Sequence, residues 1–168
     1  MIYKVTGKQH NSRMCFICGL KNSFGLKTFF YETDKNKLIA LFKPCQEHQG
    51  YPGRLHGGIA AAVLDETIGR TVTMGKKDEI WGVTLEFNIK FKKPIPLDEE
   101  IKVITELTDE DKRFFKGTGK IVLSDGKVAA IASGKYLKLP IEKIADFDRD
   151  INEWKVVRSE TDPGTIII

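Results

Sequence analysis

The run Ile59-Ala60-Ala61-Ala62-Val63-Leu64 contains no polar residue, and two carboxylates, Asp65 and Glu66, follow it directly. A helix over this stretch is apolar on every side, so the rest of the chain has to enclose it. That helix is expected to run from about Gly57 to Thr73, with Gly75 and the polar stretch Lys76-Lys77-Asp78-Glu79 ending it. A carboxylate carried into such surroundings is costly unless it is paired, hydrogen-bonded or protonated. Asp65, flanked by Leu64 and Ile68, is therefore placed where a working acid or base would be.

Nearly everything else reads as strand. Leu26 to Tyr31 alternates, "TDKN" supplies turn residues, and Leu38 to Phe42 completes a hairpin. Val83, Leu85, Phe87, Ile89 and Phe91 alternate with Thr84, Glu86, Asn88 and Lys90, a period of two that Pro94 and Pro96 then stop. "EIKVITEL", "RFFKGTGKIVL" and "KVAAIASGKYLKL" give three more strands. One apolar helix among antiparallel strands predicts an α+β fold in which a curled sheet wraps the helix. With 168 residues and 41% hydrophobic content the chain can bury one core. We expect a single domain over 1–168, with its core at about 15–139 and an extension at 140–168. In the extension, Ile144, Phe147, Ile151 and Trp154 predict a short amphipathic helix over 141–155, and the last four residues are expected to be loose.

Charge excludes some functions. Lys and Arg number 27 against 23 Asp and Glu, a net +4 that suits a phosphorylated small molecule better than nucleic acid. No apolar run reaches the ~18 residues of a membrane span. The N-terminal residues lack the apolar core of a signal peptide. Three cysteines, an odd number, argue against a disulfide framework and for a reducing, cytoplasmic setting. Cys15 and Cys18 have C-x-x-C spacing, and with Cys45 and His48 they define a conceivable Cys3His zinc set. The alternative is a pair of small hydrophobes bracketing a turn. No metal and no cofactor is expected.

Gly57 and Gly58 open the predicted helix, where the first N–H groups lack intrahelical partners and the dipole favours negative charge. Such an end can serve as an oxyanion hole, or simply as a tight turn. Asp65 lies eight residues further on, ~12 Å along the axis at 1.5 Å per residue. One helix cannot aim both features at one carbonyl. Two copies running in opposite directions can. Glu66, about 100° around the helix, either reaches solvent or pairs with Arg70 four residues on. Arg54, Lys90, Lys92 and Lys93 offer cations for phosphates, although lysines on a strand edge also guard against aggregation.

The segment "HGGIAAAVLDE" resembles the active-site segment of the hotdog-fold acyl-CoA thioesterases, in particular the phenylacetate-pathway (PaaI-like) branch. "CFICGLKNSFGLK", "HQGYPGRLHGG" and "VTLEFNIKFKKPIPL" are similar to further landmarks of that branch, in the same order, from residue 15 to about 139. The resemblance implies a hotdog fold, hydrolysis of an acyl-CoA to free acid and coenzyme A, and a homodimer or dimer of dimers. It assigns Asp65 as general base or nucleophile and the Gly57 amide, with Gly58 beside it, as the group polarising the thioester carbonyl. His56 takes a positioning role, and Thr84 stands near the attacking water. One departure is plain: the Asn or Gln that many relatives carry about seven residues before the oxyanion glycine is Gly50 here. A non-catalytic acyl-CoA-binding module and a hydratase on the same fold are the rival readings.

Overall fold

The first helical residue of α1 (Gly57–Gly69) follows His56, whose Nδ1 accepts the Gly58 N–H at 3.0 Å and so caps the helix. In this computed structural model, which describes residues 1–76 and 80–168, the helix tightens into a 3-10 turn over Arg70–Thr73. Gly75 follows at φ 66°, a conformation natural to glycine. Lys77, Asp78 and Glu79, part of the expected stop, lie outside the described residues.

Among the described residues the chain forms eight strands: β1 (Ile2–Lys8), β2 (Phe29–Thr33), β3 (Leu38–Phe42), β4 (Trp81–Phe91), β5 (Ile101–Glu110), β6 (Phe114–Val122), β7 (Val128–Leu139) and β8 (Thr165–Ile167). They form one antiparallel sheet in the order β4-β7-β6-β5-β3-β2-β1-β8. The predicted hairpin is β2–β3, with Phe30 opposite Ala40. On its inner side the helix buries Ala60, Val63, Leu64, Thr67 and Ile68. Each fully buried Val, Leu or Ile side chain here contributes roughly 1.5–3 kcal/mol. Phe30, Val103, Phe115, Ile121 and Tyr136 receive them from the sheet. The enclosure is incomplete: Ala61, Ala62, Asp65 and Glu66 remain only half-buried.

Three expectations are corrected, and one strand had no counterpart in the sequence pattern. The N-terminal residues form β1, whose Tyr3 packs with Tyr31, Ile104 and Ile166 in a second, smaller core away from α1. The final residues are not loose, because β8 pairs with β1 and buries Ile166. Over 141–155 there is no amphipathic helix, only a 3-10 turn at Ile141–Lys143 followed by turns. The Asp148 carboxylate takes the Ile151 N–H at 2.8 Å and so caps one isolated turn. Tertiary packing overrides the helical spacing, with the Phe147 ring edge-on to Trp81 and the Trp154 ring tilted against it at centroid distances of 5.6 and 4.8 Å.

The third correction concerns β4. Its alternation does not run unbroken: the pairing with β7 shifts between Thr84 and Glu86, the signature of a bulge. Before the bulge Thr84 faces α1. After it Phe87 and Ile89 do, while Leu85 is left 49% exposed. Strict alternation would have turned Thr84 away from the helix.

Candidate active site

Asp65 projects from the third turn of α1 into a cradle of two hydroxyls. Thr84 Oγ1 donates to its carboxylate, 2.9 Å from Oδ1 and 3.1 Å from Oδ2. Tyr136 donates its phenol to Oδ1 at 2.9 Å and lies 3.2 Å from the Asp65 carbonyl oxygen. The donors come from directly opposed residues, since Thr84 and Tyr136 are cross-strand partners of β4 and β7. Two hydroxyls bring two protons, so Oδ2 retains lone pairs for a further donor such as water.

Burial pushes the Asp65 carboxyl above the usual carboxylate range, with the two hydroxyl bonds pulling the other way and the Glu66 charge adding to the rise. Burial and the neighbouring Asp65 charge push the Tyr136 phenol far up, so Tyr136 stays protonated and donating. Tyr136 is held by stacking on Phe115, with centroids 4.9 Å apart and planes 11° from parallel. Gly134 makes room for it: a Cβ there would lie 2.6 Å from the phenol oxygen.

The sequence reading missed Tyr136. Its signal was a tyrosine two residues after Gly134 on the helix-facing side of a strand that otherwise presents alanines. The acid opens into a cavity of about 300 Å³ whose walls include Thr84, Trp81, Arg70 and Trp154.

The other predicted residues lie at the far end of the helix. Gly57, Gly58 and His56 are exposed, and the Phe91 ring packs 3.5 Å from where a Gly57 Cβ would stand. Because His56 Nδ1 takes the Gly58 N–H, that amide is occupied. Among the described residues, the Gly57 N–H has no acceptor. Gly50 is wedged against His56, its would-be Cβ 3.0 Å from the His56 Cα. A side chain at residue 50 would require His56 to give way by a few tenths of an ångström. Gln49 is no substitute, since its Oε1 takes the Gly53 N–H at 2.6 Å.

Arg54 is exposed in this loop and pairs with Pro96, three residues past Lys93, so Arg54 and the Lys92–Lys93 stretch belong to one end of the molecule. Lys90 does not join them. It lines a groove on the outer face of the sheet with Lys37, Asn88 and Ser133.

The conceivable zinc set is not assembled. Cys45 lies 3.3 Å from His48 Nδ1, and His48 Nε2 is engaged by the Phe24 carbonyl oxygen at 2.9 Å. Cys15 and Cys18 sit elsewhere, beside Glu66. Glu66 also pairs with Arg70, with Nε to Oε1 at 2.8 Å.

An antiparallel sheet curled around one apolar helix, with a carboxylate in mid-helix and a glycine pair at its start, is the hotdog architecture. Comparison with known proteins agrees. The thioesterase superfamily model matches residues 52–130. The human acyl-coenzyme A thioesterase THEM5 is 32% identical over 115 residues, covering 68% of this chain and 45% of THEM5. A crystal structure of a thioesterase superfamily protein superposes with a TM-score of 0.65 at 25% identity, over 72% of this chain and 58% of the other. The PaaI protein of the Escherichia coli phenylacetic acid degradation operon shares the fold, with a TM-score of 0.61 at 15% identity over 68% of this chain and 81% of its own. Residues 52–130 thus match the thioesterase superfamily, and the chain shares the hotdog fold. It spans about half the length of the curated relatives it matches.

Proposed function

We propose that the chain is an acyl-CoA thioesterase, working as a two-fold dimer in which Asp65 of one copy and the Gly57 amide of the other act on the same thioester. The observation that carries this reading is the Asp65 cradle: a carboxylate with a raised pKa, held by Thr84 and Tyr136, at the mouth of a cavity. The names of its relatives, acyl-coenzyme A thioesterases among them, support the substrate class.

Strand β4 supports dimerisation by its position. It is an edge strand of eleven residues with Leu85 and Phe91 exposed at 49% and 55%, an arrangement that invites pairing with another strand. The helix runs antiparallel to β4, since Gly57 packs near Phe91 and Asp65 meets Thr84. A two-fold pairing of β4 with its copy, centred between Phe87 and Asn88, would set Thr84 opposite Phe91 of the partner subunit. The partner's helix start, with its unpaired Gly57 N–H, would then come alongside Asp65. This resolves the ~12 Å separation along one helix.

In the resulting site the Gly57 amide and the positive end of the helix stabilise the charge that develops on the thioester oxygen. Asp65 acts as base on a water bound at Oδ2 or attacks the carbonyl itself; Thr84 and Tyr136 hold it in aim. His56 fixes the helix start. Arg54, Lys92 and Lys93 are the cations best placed for the phosphates of coenzyme A; Lys90 is not. The rival, a binding module, has no need of a half-buried carboxylate whose two donors leave lone pairs on Oδ2 for a water. Thiol release from a panel of short, long and aromatic acyl-CoA thioesters tests the proposal. Turnover of at least one thioester, lost in Asp65→Asn, is the expected result. Binding of acyl-CoA without turnover would favour the rival.

A further inference from the structure

Cys15 and Cys18 take no part in the reaction above, yet their geometry is specific. Cys15 to Cys18 makes a single turn, closed by the Gly19 N–H on the Cys15 carbonyl at 2.8 Å. The N–H groups of Ile17 and Cys18 both point at Cys15 Sγ, at 3.3 and 3.5 Å. Only glycine fits after the turn, because a Cβ at Gly19 would lie 2.4 Å from the Cys15 oxygen. Cys15 is half-buried, whereas Cys18 is buried, with the Ser12 hydroxyl at 3.4 Å from its sulfur. The two sulfurs and a Glu66 carboxylate oxygen all lie within 4.8 Å of one another.

Such a group of ligands calls for a cation, and the protein supplies its own. Arg70 donates from Nε to Glu66 at 2.8 Å and from Nη2 to Cys18 Sγ at 3.2 Å, bridging carboxylate and sulfur as a bound metal would. Its Nη1 is fixed by the His10 carbonyl oxygen at 2.9 Å, and its plane lies 4.1 Å over the Phe30 ring. A divalent ion would have to enter against this fixed charge.

We propose that Cys15 and Cys18 are a reversible dithiol–disulfide pair, oxidised by small-molecule disulfides, with the accessible Cys15 attacking and the buried Cys18 resolving. Cys15 thiolate displaces one thiolate from the oxidant and forms a mixed disulfide. Cys18 then gives up its proton to the medium, attacks the Cys15 sulfur and expels the second thiolate. Two protein thiols become one disulfide while the oxidant disulfide becomes two thiols, so electrons balance. The sulfurs lie on one turn, and closing their gap to the ~2 Å of an S–S bond is within the reach of side-chain rotation. The ionisation pattern agrees. The facing Cys18 thiol, helped by the backbone N–H groups, draws the Cys15 thiol down to about 7 against the opposing effect of burial. That same contact, with burial, pushes Cys18 far up. Glu66 and Arg70 also line the Asp65 cavity, which puts the pair directly behind its wall.

The test equilibrates the full chain with reduced and oxidised glutathione at graded ratios, followed by alkylation and mass spectrometry. The thiol readout is independent of thioester turnover, so its failure and that of the thioesterase reading are distinguishable. As the ratio becomes oxidising, two of the three thiols should disappear together with a mass loss of ~2 Da, the two hydrogens released on disulfide formation. The cross-link should join residues 15 and 18 and leave Cys45 free. In Cys18→Ser the reaction should stop as a single glutathione adduct on Cys15; Cys15→Ser should form no cross-link. Independent alkylation of Cys15 and Cys18 at every ratio would overturn the proposal. So would stoichiometric zinc released on thiol modification of the purified protein.

Discussion

Replacing Tyr136 by phenylalanine removes one oxygen and leaves the ring stacked on Phe115, so the change isolates a single hydrogen bond to the Asp65 carboxylate. A hydrogen bond to a charged group is worth roughly 1.5–3 kcal/mol. Thr84 keeps its own donor on Asp65, and the carboxylate is only half-buried, so the lower end applies. At 1.36 kcal/mol per unit, ~1.5 kcal/mol corresponds to about one pH unit. The sign is fixed by what the bond stabilises. Tyr136 donates to the ionised form, so losing it makes Asp65 harder to deprotonate. If Asp65 must be ionised to act, the acid limb of kcat/KM against pH moves about one unit to higher pH, while the plateau at alkaline pH falls much less. The assay is thiol release from the best acyl-CoA substrate over the pH range in which both proteins stay folded. An acid limb that stays in place, or moves to lower pH, would refute the claim that Tyr136 tunes a catalytic Asp65.

Four further outcomes follow from the structure. Asp65→Asn should abolish most turnover, by ~10²–10⁴-fold, because an amide is neither base nor nucleophile. The same variant should gain stability at neutral pH. Burial raises the folded-state pKa of Asp65, so its contribution to stability is present below the unfolded pKa and lost as pH rises through the folded one. The gap in Tm between variant and wild type should accordingly widen from acid to neutral pH, and a constant gap would count against the burial argument. Ile68→Ala, at a fully buried position of α1, should cost about 2–5 kcal/mol in urea unfolding. Trp154→Ala removes a wall of the Asp65 cavity and a ring 5.1 Å from the Arg70 guanidinium, so it should change relative kcat/KM among acyl chains more than it changes stability.

The parts of the fold that the sequence made legible are those where one local pattern decides. The Ile59–Leu64 run allowed only an enclosed helix, and the β2–β3 hairpin carried its turn in plain view. Asp65 was legible for the same reason, as a carboxylate with no apolar excuse. What escaped depends on distant partners. β1 becomes a strand by pairing with β2 and with β8, more than 150 residues away in the chain. The 141–155 segment has helical spacing, but Trp154 and Phe147 gain more by packing on Trp81 than a short helix would offer. The β4 bulge reverses which residues face the helix, and only the β7 partner reveals it. Tyr136 was missed because its role lies in a hydroxyl meeting an acid 71 residues earlier.

The shared site is the claim on which the mechanism turns, and subunit complementation tests it most directly. One parent carries Asp65→Asn. The other carries Gly57→Val, whose side chain would stand beside Phe91 and crowd the approach to the amide. Both parents are first shown to be folded, inactive and able to exchange subunits. In a mixed dimer one site receives both lesions and the other neither, so random assortment should restore about a quarter of wild-type thioester hydrolysis. Mixed dimers that form and remain inactive would contradict a site built from Asp65 of one chain and Gly57 of its partner.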